Sequence, residues 1–300
     1  MEINTIQQTA AKPEQQLYIP PSCKPLSDET EQQQIRLGLQ GQFGEGKTWA
    51  AATFPNTIFL NLNRGLGAHI GRADVHEVKM YDPAFVDSMV KRTTGNPPNK
   101  RDAITKWLRD EGYKLTKNQT LVTDSLSDLE RAFDMQEALE PVITDKGKVD
   151  TLAFWRHKID WFGEVVDMLM SLRCHVVLCA HEQSDRNKDG ELNGKLKPLV
   201  SGQTADKLGK DFTDWFRQRA SDKPKEGEKV KPETLKMFGM AEPEWNEWIK
   251  SFPRNTIYYW QTESDNLFSG KCSSMVNFPR FVPANYTSFL KYRRVLSPAS

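Results

Sequence analysis

Cysteine is scarce. The 300 residues hold four, Cys23, Cys174, Cys179 and Cys272, and no two are spaced Cys-x-x-Cys. That argues against a disulfide framework and fits a reducing, cytoplasmic setting. Cys174 and Cys179 border or sit within an apolar run and read as buried free thiols. No apolar run approaches the ~18 residues needed to span a bilayer, and the N-terminal stretch is Gln-rich with no apolar signal core. Charge of one sign is missing too. The formal net charge is +1, so any nucleic-acid contact must come from local patches. No internal repeat is visible. What remains is polar but globular, 38% hydrophobic and 27% charged, and long enough for one large domain or one and a half.

The most informative stretch is Gly41-Gln42-Phe43-Gly44-Glu45-Gly46-Lys47-Thr48. It reads G-x-x-x-x-G-K-T, the phosphate-binding P-loop. Glycines let the backbone fold into a nest of N–H groups, and the following helix turns its positive end to the phosphates. Lys47 adds a point charge, and the Thr48 hydroxyl can ligate Mg²⁺. The stretch Gly41–Thr48, with Trp49 directly after it, is the candidate nucleotide-binding segment. Upstream, Gln34–Gln40 alternates polar and apolar and predicts a strand. Downstream, Thr48–Phe54 predicts a short helix ended by Pro55. Glu45 inside such a loop is unusual, and spacing alone gives it no role.

Residues 1–33 are rich in Gln, Glu, Pro and Ser and read as a flexible N-terminal arm. Residues 34–220 alternate strands with helices. Strands are predicted at 57–62, 75–81, 120–125, 174–180 and 213–219, and helices at 82–92, 101–113, 125–139 and 151–172. Ser127-x-x-Glu130 has the form of a capping box for the third of these helices. Ser184–Pro198 reads as a polar, glycine-containing loop and Ser201–Lys210 as a helix. A charged linker or insert follows at 221–232. Residues 233–300 form a C-terminal extension with helical stretches, a strand at 255–262 and an aromatic, basic end. Such alternation predicts an α/β fold, a mostly parallel sheet with helices on both faces. Ligands of such sheets bind beyond the C-terminal strand ends. The P-loop, Asn61–Asn63, Asp124 and His181 all follow or end predicted strands. Asp124 has the form of a Walker B acid that holds Mg²⁺ opposite Thr48. His181 is placed to meet a γ-phosphate, and Glu182 to orient water or to lie at the surface.

In their order, GQFGEGKT, IFLNLNRGL, TLVTDS and HVVLCAHE resemble the RecA-type ATPase core of the AAA/RecA superfamily. Within it the chain looks most like the bacteriophage RecA-like single-strand annealing ATPases of the Sak group. The resemblance implies a RecA-like P-loop NTPase core with a twisted sheet flanked by helices. It implies ATP and Mg²⁺ as ligands, assembly into a homo-oligomeric ring or filament, single-stranded DNA as partner, and a single-stranded-DNA-binding protein as a further one. Lys47 and Thr48 would bind phosphate and metal, Asp124 would be the Walker B acid, and His181 the γ-phosphate sensor. Gln183–Leu199 would be a DNA loop carrying Arg186, Lys188, Lys195 and Lys197. Lys271 would reach the neighbouring subunit's nucleotide. One departure stands out: Asn61 and Asn63 replace the family's acidic pair. An amide cannot accept a proton at neutral pH, which predicts slow hydrolysis unless Glu182 or Glu45 substitutes. Two other readings stay open: a helicase-loader or motor-type P-loop protein, and a nucleotide-gated scaffold.

Overall fold

A computed structural model describes residues 34–91, 96–186, 192–200, 208–225, 227–252, 254–274 and 278–293. The N-terminal arm therefore lies outside the described residues. Six strands run parallel in the order β3 (Val75–Lys79), β2 (Thr57–Asn61), β4 (Thr120–Asp124), β5 (His175–Arg186), β1 (Arg36–Gly41) and β7 (Asp214–Asp222). Beyond β7 the sheet turns antiparallel through β8 (Thr256–Gln261) and β10 (Phe281–Pro283). The expected α/β fold, a mostly parallel sheet flanked by helices, is the one found.

The central strands are buried on both faces, so they read as near-continuous apolar runs. Alternation splits them between two cores. On β5, Val176 and Leu178 face one layer, with Ile104, Leu129, Phe133, Phe162 and Leu169 from helices α3 (Lys100–Asp110), α4 (Leu126–Glu137) and α5 (Thr151–Ser171). Val177 and Cys179 face the other, with Leu37, Leu39, Phe54, Phe216, Trp260 and Phe289. A third cluster of Phe238, Trp245, Trp248, Phe252 and Ile257 sits under the C-terminal segment. Gly38 is a close-approach glycine. It lies in register with Trp215 of β7, and a Cβ there would come within 1.9 Å of the indole.

Register brings the strand ends into one row. Asn61 pairs with Asp124, Asp124 with Cys179, and Gly41 with His181. Among the described residues, no helix is long and apolar enough to cross a membrane.

Several local expectations change. His181 does not end its strand. β5 continues to Arg186 and folds back on β6 (Leu192–Pro198), with Glu182 opposite Pro198 and Ser184 opposite Leu196. The expected loop at 184–198 is a hairpin, held by backbone pairing that its polar composition conceals. The N-cap of α4 is Ser125, not Ser127, and its hydroxyl donates to Asp128 at 2.7 Å. Ser127 lies in the first turn and donates to the Leu199 carbonyl at 2.9 Å. The expected linker at 221–232 starts late, because β7 runs to Asp222, opposite Thr256. Of the helix expected at 201–210, residues 201–207 lie outside the described residues, and Leu208–Lys210 is a single 3₁₀ turn.

Candidate functional site

β1 ends at Gly41, and helix α1 begins at Lys47 and runs to Ala51. The loop between them needs left-handed backbone at Gly44 (φ 81°) and Gly46 (φ 82°), which a side chain would strain. Glu45, which spacing left without a role, staples this loop. Its carboxylate accepts the Gln42 N–H at 2.7 Å, and its other oxygen lies 3.8 Å from Arg219. A Cβ on Gly41 would meet that carboxylate at 2.7 Å and the Gln218 backbone carbonyl at 2.8 Å, and the fixed carbonyl makes glycine necessary there. Burial pushes the Glu45 carboxyl up, and the Gln42 N–H opposes it. Lys47 is 5% exposed, and its ammonium donates to the carbonyls of Gly41 (2.9 Å) and Gln42 (2.8 Å).

Asp124 ends β4 opposite α1. Thr48 Oγ1 donates to Asp124 Oδ2 at 2.6 Å. Desolvation raises the Asp124 pKa, while Thr48, Lys47 and His181 draw it down. His181 Nδ1 lies 3.4 Å from the Lys47 ammonium, and the ring stacks near the exposed Phe43 with centroids 6.2 Å apart. Burial, then the Lys47 charge, depress the His181 pKa, so the imidazole is neutral near pH 7. A neutral ring can donate one hydrogen bond and accept another.

These groups line a cavity of about 430 Å³, within the usual range for small-molecule sites. Lys47, Thr48, Asp124 and His181 border it, as do Phe43, Gly44, Gly46 and Trp49. Asp124 is the one acid among its described lining residues.

Other expected site residues stand elsewhere. Glu182 does not line this cavity. Arg217 holds it with two hydrogen bonds of 2.8 and 2.9 Å, and the two side chains are 1% and 6% exposed. Such a carboxylate is a structural partner and not a free base. Lys271, on β9 (Lys271–Cys272) beside β7, donates to the Lys210 carbonyl at 2.9 Å, away from the cavity. Lys197 lies on β6 opposite Gln183, half-buried. Arg186 and Lys195 belong to the hairpin strands, and their side chains, like all of Lys188, lie outside the described residues.

Asn61 and Asn63 are engaged by their own surroundings. Asn61 donates to Glu77 at 2.7 Å, and its Oδ1 accepts the backbone N–H of Arg64 at 3.1 Å. That bond helps hold Arg64 in a left-handed conformation (φ 67°). Asn63 borders the cavity, donates to Asp128 at 2.7 Å and accepts the Gly65 N–H at 2.8 Å.

Sequence reasoning missed several lining residues: His69, Gly65, Phe252, Arg254, Thr256 and Tyr258. His69 is 7% exposed and stacks on Phe59 with centroids 5.9 Å apart. The four residues at 252–258 arrive because β8 pairs with β7, which no local pattern announces. The spacing of Thr256 and Tyr258, on one face of a strand, was the available signal.

A family model described as an AAA domain matches residues 33–217. The chain belongs to the AAA domain family. Its fold is that of a P-loop ATPase, and the matched region ends inside β7, before Phe252–Tyr258. No curated protein matches. Among solved structures, the chain is similar to the ATPase EscN of the enteropathogenic E. coli type III secretion system, at 15% identity and a TM-score of 0.36. That alignment covers 62% of this chain and 43% of EscN. A prototypical ATPase from the type III secretion system of pathogenic bacteria aligns at 14% identity and a TM-score of 0.35, over 61% of this chain and 51% of its own. The chain thus spans about half or less of the length of these two ATPases.

Proposed function

We propose that this AAA domain protein binds Mg²⁺-ATP, hydrolyses it slowly and works as a homo-oligomer on single-stranded DNA, promoting annealing or strand exchange in phage recombination. The observation that carries the nucleotide reading is the Thr48–Asp124 pair at 2.6 Å beside the Lys47 ammonium. A hydroxyl and a carboxylate oxygen form a hard-oxygen donor set that fits Mg²⁺. Among the described residues, no group of three or more His, Cys, Asp or Glu could hold a metal alone. The ion would therefore share its shell with phosphate oxygens, the usual arrangement for Mg²⁺. Bound there, Mg²⁺ supplies charge neutralisation at the phosphates.

The chain's own residues do the rest. Lys47 leaves its two carbonyl partners for phosphate oxygens. The backbone around Gly44 gives access, since a Cβ there would meet nothing within 4 Å. Neutral His181 offers a ring N–H to the terminal phosphate. Slow hydrolysis is argued from the lining: Asn63 can position water but not take its proton, and Glu182 is held by Arg217.

The DNA reading leans on the resemblance and on connectivity. His181 continues directly into the β5–β6 hairpin, which carries Arg186, Lys195 and Lys197, with Lys188 in the segment between its strands. A change at the phosphate would reach that hairpin along one strand. Lys271 would serve a neighbouring copy's nucleotide, and the free thiols of Cys174, Cys179 and Cys272 suit a reducing, cytoplasmic setting. Single-strand binding measured with and without ATP over a salt series tests this. Expected is ATP-dependent binding with log K falling linearly against log salt. Affinity that ignores ATP and salt contradicts it. ATP-dependent capture of a protein without DNA affinity would favour the nucleotide-gated scaffold.

A further inference from the structure

The cavity has a second group of lining residues that phosphate and metal leave unused. Phe252, Arg254, Thr256 and Tyr258 border it together with Trp49. Trp49 follows the P-loop threonine directly. Its ring centroid is 5.3 Å from that of Phe252 and 5.4 Å from that of Tyr258, and Phe252 and Tyr258 are 5.9 Å apart. Tyr258 also packs on the P-loop itself, since a Cβ on Gly46 would come within 2.5 Å of its ring. Phe252 is 4% exposed and anchors the group in the third core cluster, while Trp49 and Tyr258 are half-buried.

An aromatic cluster of this kind is ordinarily core. Two facts set it apart. Its members line the same cavity as the P-loop, and a cation and a hydroxyl, Arg254 and Thr256, stand among them. Flat apolar faces beside a few polar groups are what a nucleobase requires. Base–aromatic stacking is favourable for any base, because each has a π-face. Arg254 adds a guanidinium suited to stacking or to a ring acceptor.

We propose that Trp49, Phe252 and Tyr258, with Arg254 and Thr256, form a nucleobase subsite, so that the ligand is a nucleoside triphosphate held by its base as well as by its phosphates. This rests on the P-loop reading above. It adds that residues beyond the matched AAA region select the ligand. Trp49 and Tyr258 stack on the base, Phe252 holds both rings in place, and Thr256 offers a hydroxyl to a polar edge. Because selection is by ring face, adenine and guanine are both accepted.

Calorimetric titration of the full chain, in Mg²⁺, with ATP, GTP and inorganic tripolyphosphate tests the proposal. Expected is ATP and GTP binding about tenfold to a hundredfold tighter than tripolyphosphate, the range of one base stack. Tyr258→Ala should bring that ratio close to one. A second readout does not depend on that variant. ATP but not tripolyphosphate should quench tryptophan fluorescence in the wild type, and Trp49→Phe should remove the quenching. Equal affinity for ATP and tripolyphosphate in the wild type, or quenching that survives Trp49→Phe, overturns the subsite while leaving the P-loop reading intact. Failure of all three ligands to bind overturns both.

Discussion

Two neighbouring strand ends make the most instructive contrast in the molecule. Asn61 and Asp124 sit in register on β2 and β4, at the same edge of the same sheet. Asp124 turns to Thr48 and borders the cavity. Asn61 turns into its own loop, bonding the Arg64 N–H and Glu77. Position in the sheet alone does not make a catalytic residue. One side chain is a carboxylate held in a desolvated place beside Thr48, where the proposed Mg²⁺ would sit. The other is an amide consumed by a turn. On the proposed reading, the same division separates nucleotide binding from water activation, for which the described lining residues hold no carboxylate besides Asp124.

The largest expected effect tests the binding half. Lys47→Ala should weaken Mg²⁺-ATP binding by about a hundredfold, from the ~2–3 kcal/mol of a charged hydrogen bond. Asp124→Asn should make ATP affinity insensitive to Mg²⁺. Calorimetry with and without the metal checks both, and an undiminished Mg²⁺ response would remove Asp124 from the metal site.

Next comes the hydrolysis half. Asn63→Glu alone would set two carboxylates together, because Asn63 donates to Asp128 at 2.7 Å. The double variant Asn63→Glu/Asp128→Asn keeps a hydrogen-bonded pair and adds a base. Its phosphate release should rise about tenfold or more, within the range of general-base catalysis. An unchanged rate would mean that the missing base is not what limits turnover.

Stability should divide in the opposite sense. Asn61→Ala removes the acceptor of the Arg64 N–H and a donor to the exposed Glu77, and should cost about 1 kcal/mol in denaturant unfolding. Asp124→Asn should leave stability unchanged or raise it at pH 7. Its folded pKa is raised, so the ionised form burdens the folded state at neutral pH and the burden lifts as pH falls. Loss of stability in Asp124→Asn would make that carboxylate a structural group like Asn61.

The smallest effect extends the contrast to two histidines of one strand. His175 opens β5, far along the strand from His181, and its Nδ1 accepts the Ile35 N–H at 3.1 Å. Burial lowers its pKa to about 4. The unfolded chain therefore binds more protons below pH ~6.5, and stability falls as pH drops from there toward the folded value. Going from pH ~6.5 to ~5.5 should cost the wild type about 1 kcal/mol more than His175→Asn, measured by denaturant unfolding. Parallel pH curves would show that His175 is not held neutral.

Much of this architecture was legible because its signals are local. The P-loop spacing, the apolar runs at 57–62, 120–125 and 174–180, and the polar residue at each run's end all lie within a few residues of one another. What stayed hidden depends on pairing between distant segments. The β5–β6 hairpin is made of polar residues whose backbone bonds leave no hydrophobic pattern. Tyr258 of β8, and Phe252 shortly before that strand, reach the P-loop only because β7 lies beside β1. Glu45 looked out of place by charge until its bond to Gln42 made it a loop staple. Glu182 looked like a spare base until Arg217, 35 residues away, was seen to hold it.

On the proposed reading the site is equipped to bind ATP and ill-equipped to hydrolyse it. Rapid-quench measurement of one round of ATP turnover, on protein with stoichiometrically bound Mg²⁺-ATP and single-stranded DNA, tests this most directly. Expected is full occupancy with a cleavage rate below about 0.01 per second, far under the roughly 10 per second typical of enzymes. Full occupancy with cleavage at about 1 per second or faster would contradict that reading.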